Sequence, residues 1–316
     1  MNCMVKCGFC GRREAVFVRG YSGEELCKSC FCESVENRVR ATIADYGMFN
    51  FDDRILVAVS GGKDSVGLLH ILAKIEKNFP KVSLRAVSID EGIRGYRSEA
   101  LRIAARNCKA LGLEHSVFGF EGLFGLTLDE IVKKARKLKV RTSLSPCAYC
   151  GVLRRRALDL AAEKLGASVI ALGHNLDDVV QTFLLNVVHG DVSRLARFGV
   201  VSAGSDGRFV RRVRPLCLVP EKETAFYAYA RGVTFQTVPC PYAGEALRND
   251  ARFWLNRLEQ RHAGSLFTVF RSFERISESM QPKARAFRTC SKCGEARGEG
   301  EDLCAVCGFL EKLGLA

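Results

Sequence analysis

The chain has 316 residues, 47% hydrophobic and 26% charged, a composition typical of a soluble globular protein with one large domain and small attachments. No stretch reaches the roughly 18 consecutive apolar residues of a membrane helix, and the N-terminus lacks a signal-peptide pattern, so we expect a cytoplasmic protein without a membrane partner. A formal net charge of +13 is high for an enzyme that acts only on small anions, and it predicts a polyanionic partner.

Fifteen cysteines, an odd number in a chain without a secretion signal, favour metal binding or catalysis over a disulfide framework. Two Cys-x2-Cys pairs within residues 1–35 supply four thiolates, the ligand set of a closed tetrahedral zinc site. We predict an N-terminal zinc ribbon with the ligands Cys7, Cys10, Cys27 and Cys30. Cys3 or Cys32 could replace one of them, so the ligand set stays open at that point.

Residues 51–286 are predicted to form the main domain, with a linker helix in residues 36–50 and a helical C-terminal part. Short apolar runs predict buried strands at 55–60, 82–89, 115–120 and 168–173. Amphipathic periodicity predicts helices at 34–46, 65–77, 97–111, 126–138, 151–165, 176–188, 221–230 and 245–261. This alternation predicts an α/β fold with a doubly wound parallel sheet, in which ligands bind at the carboxyl ends of the strands.

Basic residues cluster at three places in this domain, and together they favour a nucleic acid as partner, although solvated surface is the alternative for any one cluster. The clusters comprise Lys133, Lys134, Arg136, Lys137, Lys139 and Arg141; Arg154, Arg155 and Arg156; and Arg208, Arg211, Arg212 and Arg214.

The first predicted strand ends in a glycine-rich loop directly before a helix, and the loop consists of Ser60, Gly61, Gly62, Lys63, Asp64 and Ser65. Adjacent glycines let the backbone fold closely around an anion, toward which the first amides of the helix point. Lys63 would add positive charge, and Asp64 could hold Mg²⁺ on the same phosphates. The spacing differs from a Walker A loop, which disfavours a motor protein or a GTPase.

This loop resembles the phosphate-binding loop of PP-loop ATP pyrophosphatases, which split ATP between its α- and β-phosphates. The resemblance implies a PP-loop or HUP-like fold, ATP and Mg²⁺ at the loop, and an adenosine contact at Ile89. The segment from Gly173 to Asp178 is similar to the GHNxDD motif of the tRNA-thiolation branch, which places Gly173 and Asp177 at ATP or Mg²⁺. Asp178 could ligate Mg²⁺ or accept a proton from the substrate, whereas helix capping is the alternative for both aspartates.

Three further cysteines, Cys147, Cys150 and Cys240, form a CxxC pair and a distant single cysteine that follows Pro239. Spacing alone leaves open an iron-sulfur cluster with one iron lacking a protein ligand, a redox disulfide, or a three-thiolate zinc site. The pattern resembles the cluster ligands of tRNA 2-thiouridine synthetases of the TtuA and TtcA type. The resemblance implies a 4Fe-4S cluster on these thiolates, with sulfur delivered from its open iron or as a persulfide on Cys147 or Cys240.

Residues 287–316 repeat the N-terminal pattern of cysteine pairs. They predict a second zinc ribbon with the ligands Cys290, Cys293, Cys304 and Cys307. A segment this short cannot bury a stable core, so the metal would supply its folding free energy. Each ribbon is either a scaffold or an additional RNA contact.

The resemblance covers nearly the whole chain, because this family also carries zinc ribbons at both ends. Residues 150–159 and the Gly190-Asp191-Val192 segment favour the cytoplasmic wobble-uridine branch, whereas the CPY sequence at Cys240 is similar to the TtuA branch, which thiolates a T-loop uridine. The segment after Tyr242 departs from the SPNAxRG motif that is usual in the wobble-uridine branch. Arg154 stands where TtuA-like enzymes have a catalytic lysine, and it stays cationic but cannot act as a base.

We therefore expect a tRNA sulfurtransferase that adenylates the C2 oxygen of a uridine with ATP and replaces that oxygen with sulfur. The wobble uridine is the favoured target and the T-loop uridine the second. The expected catalytic residues are Lys63, Cys147, Arg154, Asp178 and Cys240. The family resemblance further implies a homodimer and a sulfur donor that is a ubiquitin-like carrier or free sulfide. The alternatives are another PP-loop tRNA ligase and a non-catalytic zinc-ribbon RNA-binding protein.

Overall fold

The computed structural model describes residues 5–77, 79, 81–137, 145–190, 195, 199–202, 210–245, 248–280, 288–294, 296–297 and 302–314. No helix in this described part of the chain combines the length and the apolar character that crossing a membrane requires.

The N-terminal ribbon consists of an antiparallel strand pair followed by a long helix. Strand β1 (Phe17–Val18) pairs with β2 (Glu25–Leu26), and α1 (Lys28–Asp45) begins directly after Cys27. The helix therefore starts six residues before the predicted stretch 34–46, and the expected domain boundary at residue 35 lies within it.

The main domain is built on a six-stranded sheet with the order β5-β4-β3-β6-β8-β7. Its strands are β3 (Arg54–Ala58), β4 (Ser83–Asp90), β5 (His115–Gly119), β6 (Val169–Leu172), β7 (Val201–Ser202) and β8 (Arg211–Val213). All neighbouring pairs are parallel except β7 with β8, which is antiparallel. The four predicted strands are confirmed, and the pair β7 and β8 was not predicted, because both strands are short and β8 is mostly arginine.

Helices cover both faces of this sheet. They are α2 (Lys63–Glu76), α3 (Arg97–Leu111), α4 (Phe120–Phe124), α5 (Leu128–Lys137), α6 (Pro146–Lys164), α7 (Leu176–Val188), α8 (Glu221–Ala230), α9 (Arg248–Arg261) and α10 (Ser265–Ser279). The central strand β3 is buried on both faces: Ile55 and Val57 lie in the apolar core on one side of the sheet, and Leu56 lies in the core on the other side. Such two-sided burial explains why its sequence is a continuous apolar run.

A second small ribbon ends the chain, with β9 (Arg288–Thr289), β10 (Ala296–Arg297) and α11 (Ala305–Lys312). It packs against the main domain, because the ring of Phe309 lies 5.3 Å from that of Tyr149 on α6 and Leu313 is buried in the same core as Tyr149.

The order of the strands in the sheet indicates where a ligand site lies. Strand β4 lies on one side of β3 and β6 on the other, so the connections leave β3 in opposite directions. In doubly wound sheets the crevice at such a reversal, at the carboxyl ends of the strands, is where ligands bind.

Candidate active site

The glycine-rich loop follows β3 and turns sharply before α2. Gly61 has a positive φ of 91°, and a Cβ there would lie 2.5 Å from the carbonyl oxygen of Ala100, so only glycine fits. Gly62 is the N-cap of α2 and provides no side-chain cap, which leaves the first helical amides able to bind an anion. Ser60 and Ser65 brace the turn, with their hydroxyl oxygens 3.0 Å apart.

The end of β6 lies directly against this loop. A Cβ on Gly173 would be 2.8 Å from the Cα of Ser65, so the close approach of the two segments again requires glycine. By contrast, the side chain of Ile89 is buried in the core, and its carbonyl oxygen accepts a hydrogen bond from Arg97. Any contact that Ile89 makes with adenosine would therefore come from its backbone.

Lys63 is held by two carboxylates. Its Nζ lies 2.9 Å from Asp64 Oδ2 and 2.8 Å from Glu221 Oε1 at the start of α8. Burial opposes the charge, but Asp64 and Glu221 together raise the pKa of Lys63 above its ordinary value. A bound phosphate would therefore have to compete with these two carboxylates for the ammonium group.

Asp64 joins the loop to the two other elements of the site. Asn175 donates its side-chain amide to Asp64 Oδ1 at 3.1 Å, and the hydroxyl of Thr224 donates to the same oxygen. Asp177, in turn, is buried and accepts a hydrogen bond from the backbone amide of Glu221 at 2.7 Å. Asp177 thus caps α8 and not its own helix α7; its expected role at ATP or Mg²⁺ stays a prediction.

Asp178 caps a helix, and its pKa is higher than the ordinary value of an aspartate. With Asn175 it forms a capping box at the start of α7, and its second oxygen lies 3.3 Å from Nη1 of Arg248. Burial raises the pKa of Asp178 to about 6; Arg248 lowers it, while Asp64 and Glu221 add to the increase. A carboxyl group with this pKa can exchange a proton near neutral pH.

His174 lines the same cleft. Its ring reaches solvent, but the surrounding protein shields it and several arginines face it, foremost Arg214 and Arg248. These effects lower its pKa to about 3, so the imidazole is neutral at physiological pH. It can donate or accept a hydrogen bond there but cannot supply a proton as imidazolium.

The three remaining candidate cysteines converge from two segments. Cys147 and Cys150 lie on the first turns of α6, and the thiol of Cys147 donates to the carbonyl oxygen of Tyr242 at 3.6 Å. Cys240 interacts electrostatically with Cys150 and packs against the same core. Within the described residues the three thiols do not gather within 4.8 Å of one another, as ligands of a single metal ion would.

A chain of ion pairs connects these cysteines with the phosphate loop. Arg154 donates to the sulfur of Cys150 at 3.1 Å and lies 2.8 Å from the carboxylate of Glu91. Glu91 also lies 2.6 Å from Arg97, whose guanidinium donates to the carbonyl oxygen of Ser60 at 2.7 Å. Glu91 raises the pKa of Arg154 further, so this guanidinium stays charged. A continuous chain of side-chain contacts therefore links the cysteine site with the loop.

The N-terminal ribbon gathers four thiols within 4.8 Å, those of Cys7, Cys10, Cys27 and Cys30. The sulfurs of Cys10 and Cys27 are 4.0 Å apart, close to the ~3.8 Å edge of a tetrahedron with zinc–sulfur bonds of about 2.3 Å. Although burial opposes it, backbone amides of Cys10 and Cys27 lower the pKa of Cys7 to about 6, which favours the thiolate that zinc needs. Cys32 lies outside this group on α1, and Cys3 lies outside the described residues.

The C-terminal ribbon gathers a second group of four thiols, Cys290, Cys293, Cys304 and Cys307. The sulfurs of Cys293 and Cys304 are 3.6 Å apart. Burial acts against ionisation of Cys290 here too, yet backbone amides of Cys304 and Cys293 lower its pKa to about 6. The donor set and its spacing fit one zinc ion in each ribbon.

The structure corrects the expectation for part of the basic clusters. Arg211 lies 2.6 Å from the buried carboxylate of Asp53, and Arg212 lies 2.5 Å from that of Asp159. These ion pairs fix β8 within the fold, so the two guanidiniums are not a free surface for RNA phosphates. Of the same clusters, Lys139, Arg141 and Arg208 lie outside the described residues.

Five further residues of the cleft were not predicted as site residues. They are Glu91, His174, Glu221, Thr224 and Arg248, which neighbour the cysteine and phosphate sites through the contacts given above. His174 directly follows the predicted strand 168–173, and Glu91 lies two residues after the predicted strand 82–89; this position at the carboxyl end of a strand could have indicated both as site residues. The sequence offered no such indication for Glu221 and Thr224, because they contact Lys63 and Asp64, which are about half of the chain length away in sequence.

Comparison with known proteins agrees with this geometry. Residues 32–257 match the PP-loop domain family. The cytoplasmic tRNA 2-thiolation protein 1 of Danio rerio is 36% identical over 311 residues, which cover 98% of this chain and 88% of the relative. The tRNA 2-thiolation protein NcsA of Haloferax volcanii is 34% identical over 326 residues, covering 98% of this chain and 99% of the relative.

A solved structure is also similar over its whole length. The U34-tRNA thiolase NcsA from Methanococcus maripaludis, determined with its [4Fe-4S] cluster, superposes with a TM-score of 0.84 at 31% identity. The match covers all of this chain and 98% of the archaeal one.

Proposed function

The chain belongs to the PP-loop family of tRNA 2-thiolation proteins, and we propose that it uses ATP to activate uridine 34 of tRNA and then replaces the C2 oxygen of that uridine with sulfur. The observation that carries the proposal is the chain of contacts from the loop at Ser60 through Arg97, Glu91 and Arg154 to Cys150. It gives one cleft both a phosphate cradle and a set of thiols, as activation followed by sulfur transfer requires.

In the first step the loop binds the phosphates of ATP. The amides after Gly62 and the ammonium of Lys63 would take the negative charge, while Asp64 would hold Mg²⁺ once Lys63 has turned to the phosphates. The C2 oxygen of uridine attacks the α-phosphate, and pyrophosphate leaves. The product carries AMP on the former carbonyl oxygen, which makes that oxygen a good leaving group.

Asp178 is the residue placed to move the proton of this step. When the C2 oxygen becomes bonded to phosphorus, N3 of the uracil ring must lose its proton. A carboxyl group with a pKa of about 6 is mostly ionised at neutral pH, so Asp178 can accept that proton and return it to N3 when sulfur has replaced AMP.

Cys147, Cys150 and Cys240 would hold the [4Fe-4S] cluster. When bound, such a cluster would present one iron that has no protein thiolate, a position open to an external sulfur ligand. Arg154 holds the sulfur of Cys150 in place and keeps a positive charge beside it, which would stabilise negative charge that develops during transfer. Because its guanidinium does not lose a proton, Arg154 has an electrostatic role.

The remaining assignments follow from the same family. Each group of four cysteines would hold one structural zinc ion, giving two zinc ions in the chain. A ubiquitin-like carrier or free sulfide would supply the sulfur, and the working unit would be a homodimer.

Anaerobic purification followed by iron, sulfide and zinc analysis tests the assignment of the cysteines. We expect two zinc ions and one cluster in the wild-type chain, and loss of iron and sulfide alone in the variant with Cys147, Cys150 and Cys240 changed to Ser. Iron that stays bound in this variant would contradict the assignment. Absence of iron from the wild type would also contradict the assignment of a cluster to these cysteines.

A further inference from the structure

The helix α9 exposes two large aromatic side chains. Phe253 is 71% exposed and Trp254 is 53% exposed, whereas Ala251 and Leu255 on the other side of the helix are buried. Large apolar groups that lie next to each other on a surface indicate a binding partner rather than a contribution to folding.

Positive charge lies on the C-terminal side of these rings, and the exposed carboxylate of Asp250 lies one turn before them. Arg257 follows Phe253 by four residues and Trp254 by three, so it lies between the two rings on the helix surface, and Arg261 follows one turn later. Both arginines are exposed. The nearby carboxylate of Glu259 is turned away from this face, because it accepts hydrogen bonds from the backbone amides of Gly264 and Leu266 at 2.7 and 3.0 Å.

The same helix begins inside the proposed active site. Arg248 lies 3.3 Å from Asp178, and Arg252 lies 3.1 Å from Glu221. Asn249 donates to the carbonyl oxygen of Ala243 at 2.8 Å, and the amide of Ala243 donates to the carbonyl oxygen of Cys240 at 2.9 Å. Helix α9 therefore starts at the place where the target base must arrive, and Phe253 and Trp254 follow within about two turns on its other, exposed side.

We propose that this face of α9, formed by Phe253, Trp254, Arg257 and Arg261, binds unpaired nucleotides of the substrate tRNA. Bases stack on the two rings, and the arginines pair with the phosphates between them. The assignment rests on the proposed function. Exposed aromatic rings beside arginines match single-stranded RNA, whose bases can leave their stack, whereas duplex RNA keeps its bases covered. A second copy of this chain fits less well, because a twofold contact would bring like charges together.

The sequence supplies a direct probe of this contact, since Trp254 is the only tryptophan in the chain. An unpaired oligoribonucleotide added to the full-length protein is expected to quench tryptophan fluorescence as the bases stack. Heparin, which is a polyanion without bases, should bind without this quenching. Unchanged fluorescence at RNA concentrations that saturate binding, as measured by anisotropy of labelled RNA, would overturn the proposal.

Single substitutions test the energetic contribution of each ring. We expect Phe253→Ala and Trp254→Ala each to weaken binding of tRNA and of the unpaired oligonucleotide by about 5- to 150-fold, with little effect on duplex RNA. Phe51→Ala, which removes a ring that is 77% exposed elsewhere on the surface, is the matched control and should leave binding unchanged. Arg257→Gln should reduce the slope of log affinity against log salt by about one.

The possible outcomes distinguish a failure of this surface assignment from a failure of the proposed function. If the wild type thiolates tRNA and both ring variants bind it as tightly as the wild type, the surface assignment alone fails. If the wild type binds no tRNA, the proposed function fails with it. If the ring variants change the mass of the particle in light scattering and leave RNA affinity intact, the face is an interface between copies and the proposal is overturned.

Discussion

Asp178 combines, in one side chain, the contacts of a helix cap with the acidity of a proton acceptor. Its capping box with Asn175 fixes the carboxyl group at the start of α7. Burial, together with the negative charges of Asp64 and Glu221, makes the ionised form costly, and Arg248 offsets part of that cost. The pKa of about 6 is the balance of these effects.

The pH dependence of pyrophosphate release follows from this balance. Asp178 must be ionised to accept a proton, so kcat/KM should increase with pH through about 6 and level off above it. Arg248→Gln removes the charge that lowers the pKa, so the increase should move to higher pH. Asp178→Asn should lower kcat about 100-fold or more.

Exchange of an exposed carboxylate, Asp52→Asn, provides the control and should leave the pH profile of the wild type unchanged. A profile that is flat between pH 5 and pH 8 in the wild type would show that Asp178 does not carry the proton.

Gly61 shows how a single missing side chain shapes the phosphate loop. Gly61→Ala places a Cβ against the backbone of Ala100 at a positive φ, which should lower the free energy of unfolding by at least about 1–2 kcal/mol. Because the loop must shift, the KM for ATP should increase as well. Urea unfolding and steady-state kinetics measure the two effects.

Gly122→Ala is the matched substitution, because a Cβ at Gly122 on α4 meets no atom within 4 Å. It should leave the KM unchanged and keep or slightly increase stability. Equal effects of the two substitutions would mean that the close approach of Ala100 does not constrain the loop.

At the level of elements, a buried carboxylate on α8 helps to join the N-terminal ribbon to the main domain, beside a shared apolar core. Glu223 on α8 lies 3.0 Å from Nη2 of Arg19 and 3.3 Å from Nη1 of Arg38, and it also accepts a hydrogen bond from Tyr21. Glu223 and Arg19 are both buried, so the loss of Glu223 leaves the buried Arg19 with only the half-exposed Glu24 as a carboxylate partner.

Glu223→Gln should therefore lower the free energy of unfolding by about 3–5 kcal/mol, because Arg19 and Arg38 lose the buried carboxylate that they share. Glu24→Gln removes the other carboxylate that pairs with Arg19, one that is 51% exposed, and should change stability by less than about 1 kcal/mol. Chemical denaturation of the zinc-loaded protein compares the two. A smaller effect at Glu223 than at Glu24 would contradict this account of the ribbon's attachment.

The elements that the sequence predicted share a physical basis. Strands buried on both faces, such as β3, are continuous apolar runs, and α7 has its capping residue Asn175 in place before it. Strand β8 lacked such a signal, since its arginines are compensated by Asp53 and Asp159, which are distant in sequence. Helix α10 falls within the expected helical C-terminal part but was given no bounds, although Leu266, Phe270 and Phe273 have the i, i+4, i+7 spacing of an amphipathic helix.

For the whole molecule, the active site depends on contacts between distant parts of the chain. The side chains of Lys63 and Glu221 meet across 158 positions, and those of Asp64 and Thr224 across 160. Motifs indicated the phosphate loop and the cysteines separately. Their connection through Glu91 and Arg97 could not be predicted, because it depends on the register of β4 beside β3.

The two ribbons extend this dependence to the ends of the chain. The N-terminal ribbon contacts α8, whose first residue holds Lys63, and the C-terminal ribbon contacts α6, which carries Cys147 and Cys150. Metal in the ribbons would therefore support the helices that position both halves of the active site.

The most direct test of the central claim is mass spectrometry of tRNA nucleosides after anaerobic incubation of the cluster-loaded protein with ATP, Mg²⁺, sulfide and unmodified tRNA. We predict 2-thiouridine at position 34, formed together with AMP and pyrophosphate, and none with Cys240→Ser. Pyrophosphate release without any thiolated nucleoside, or thiolation that persists in the Cys240 variant, would contradict the account.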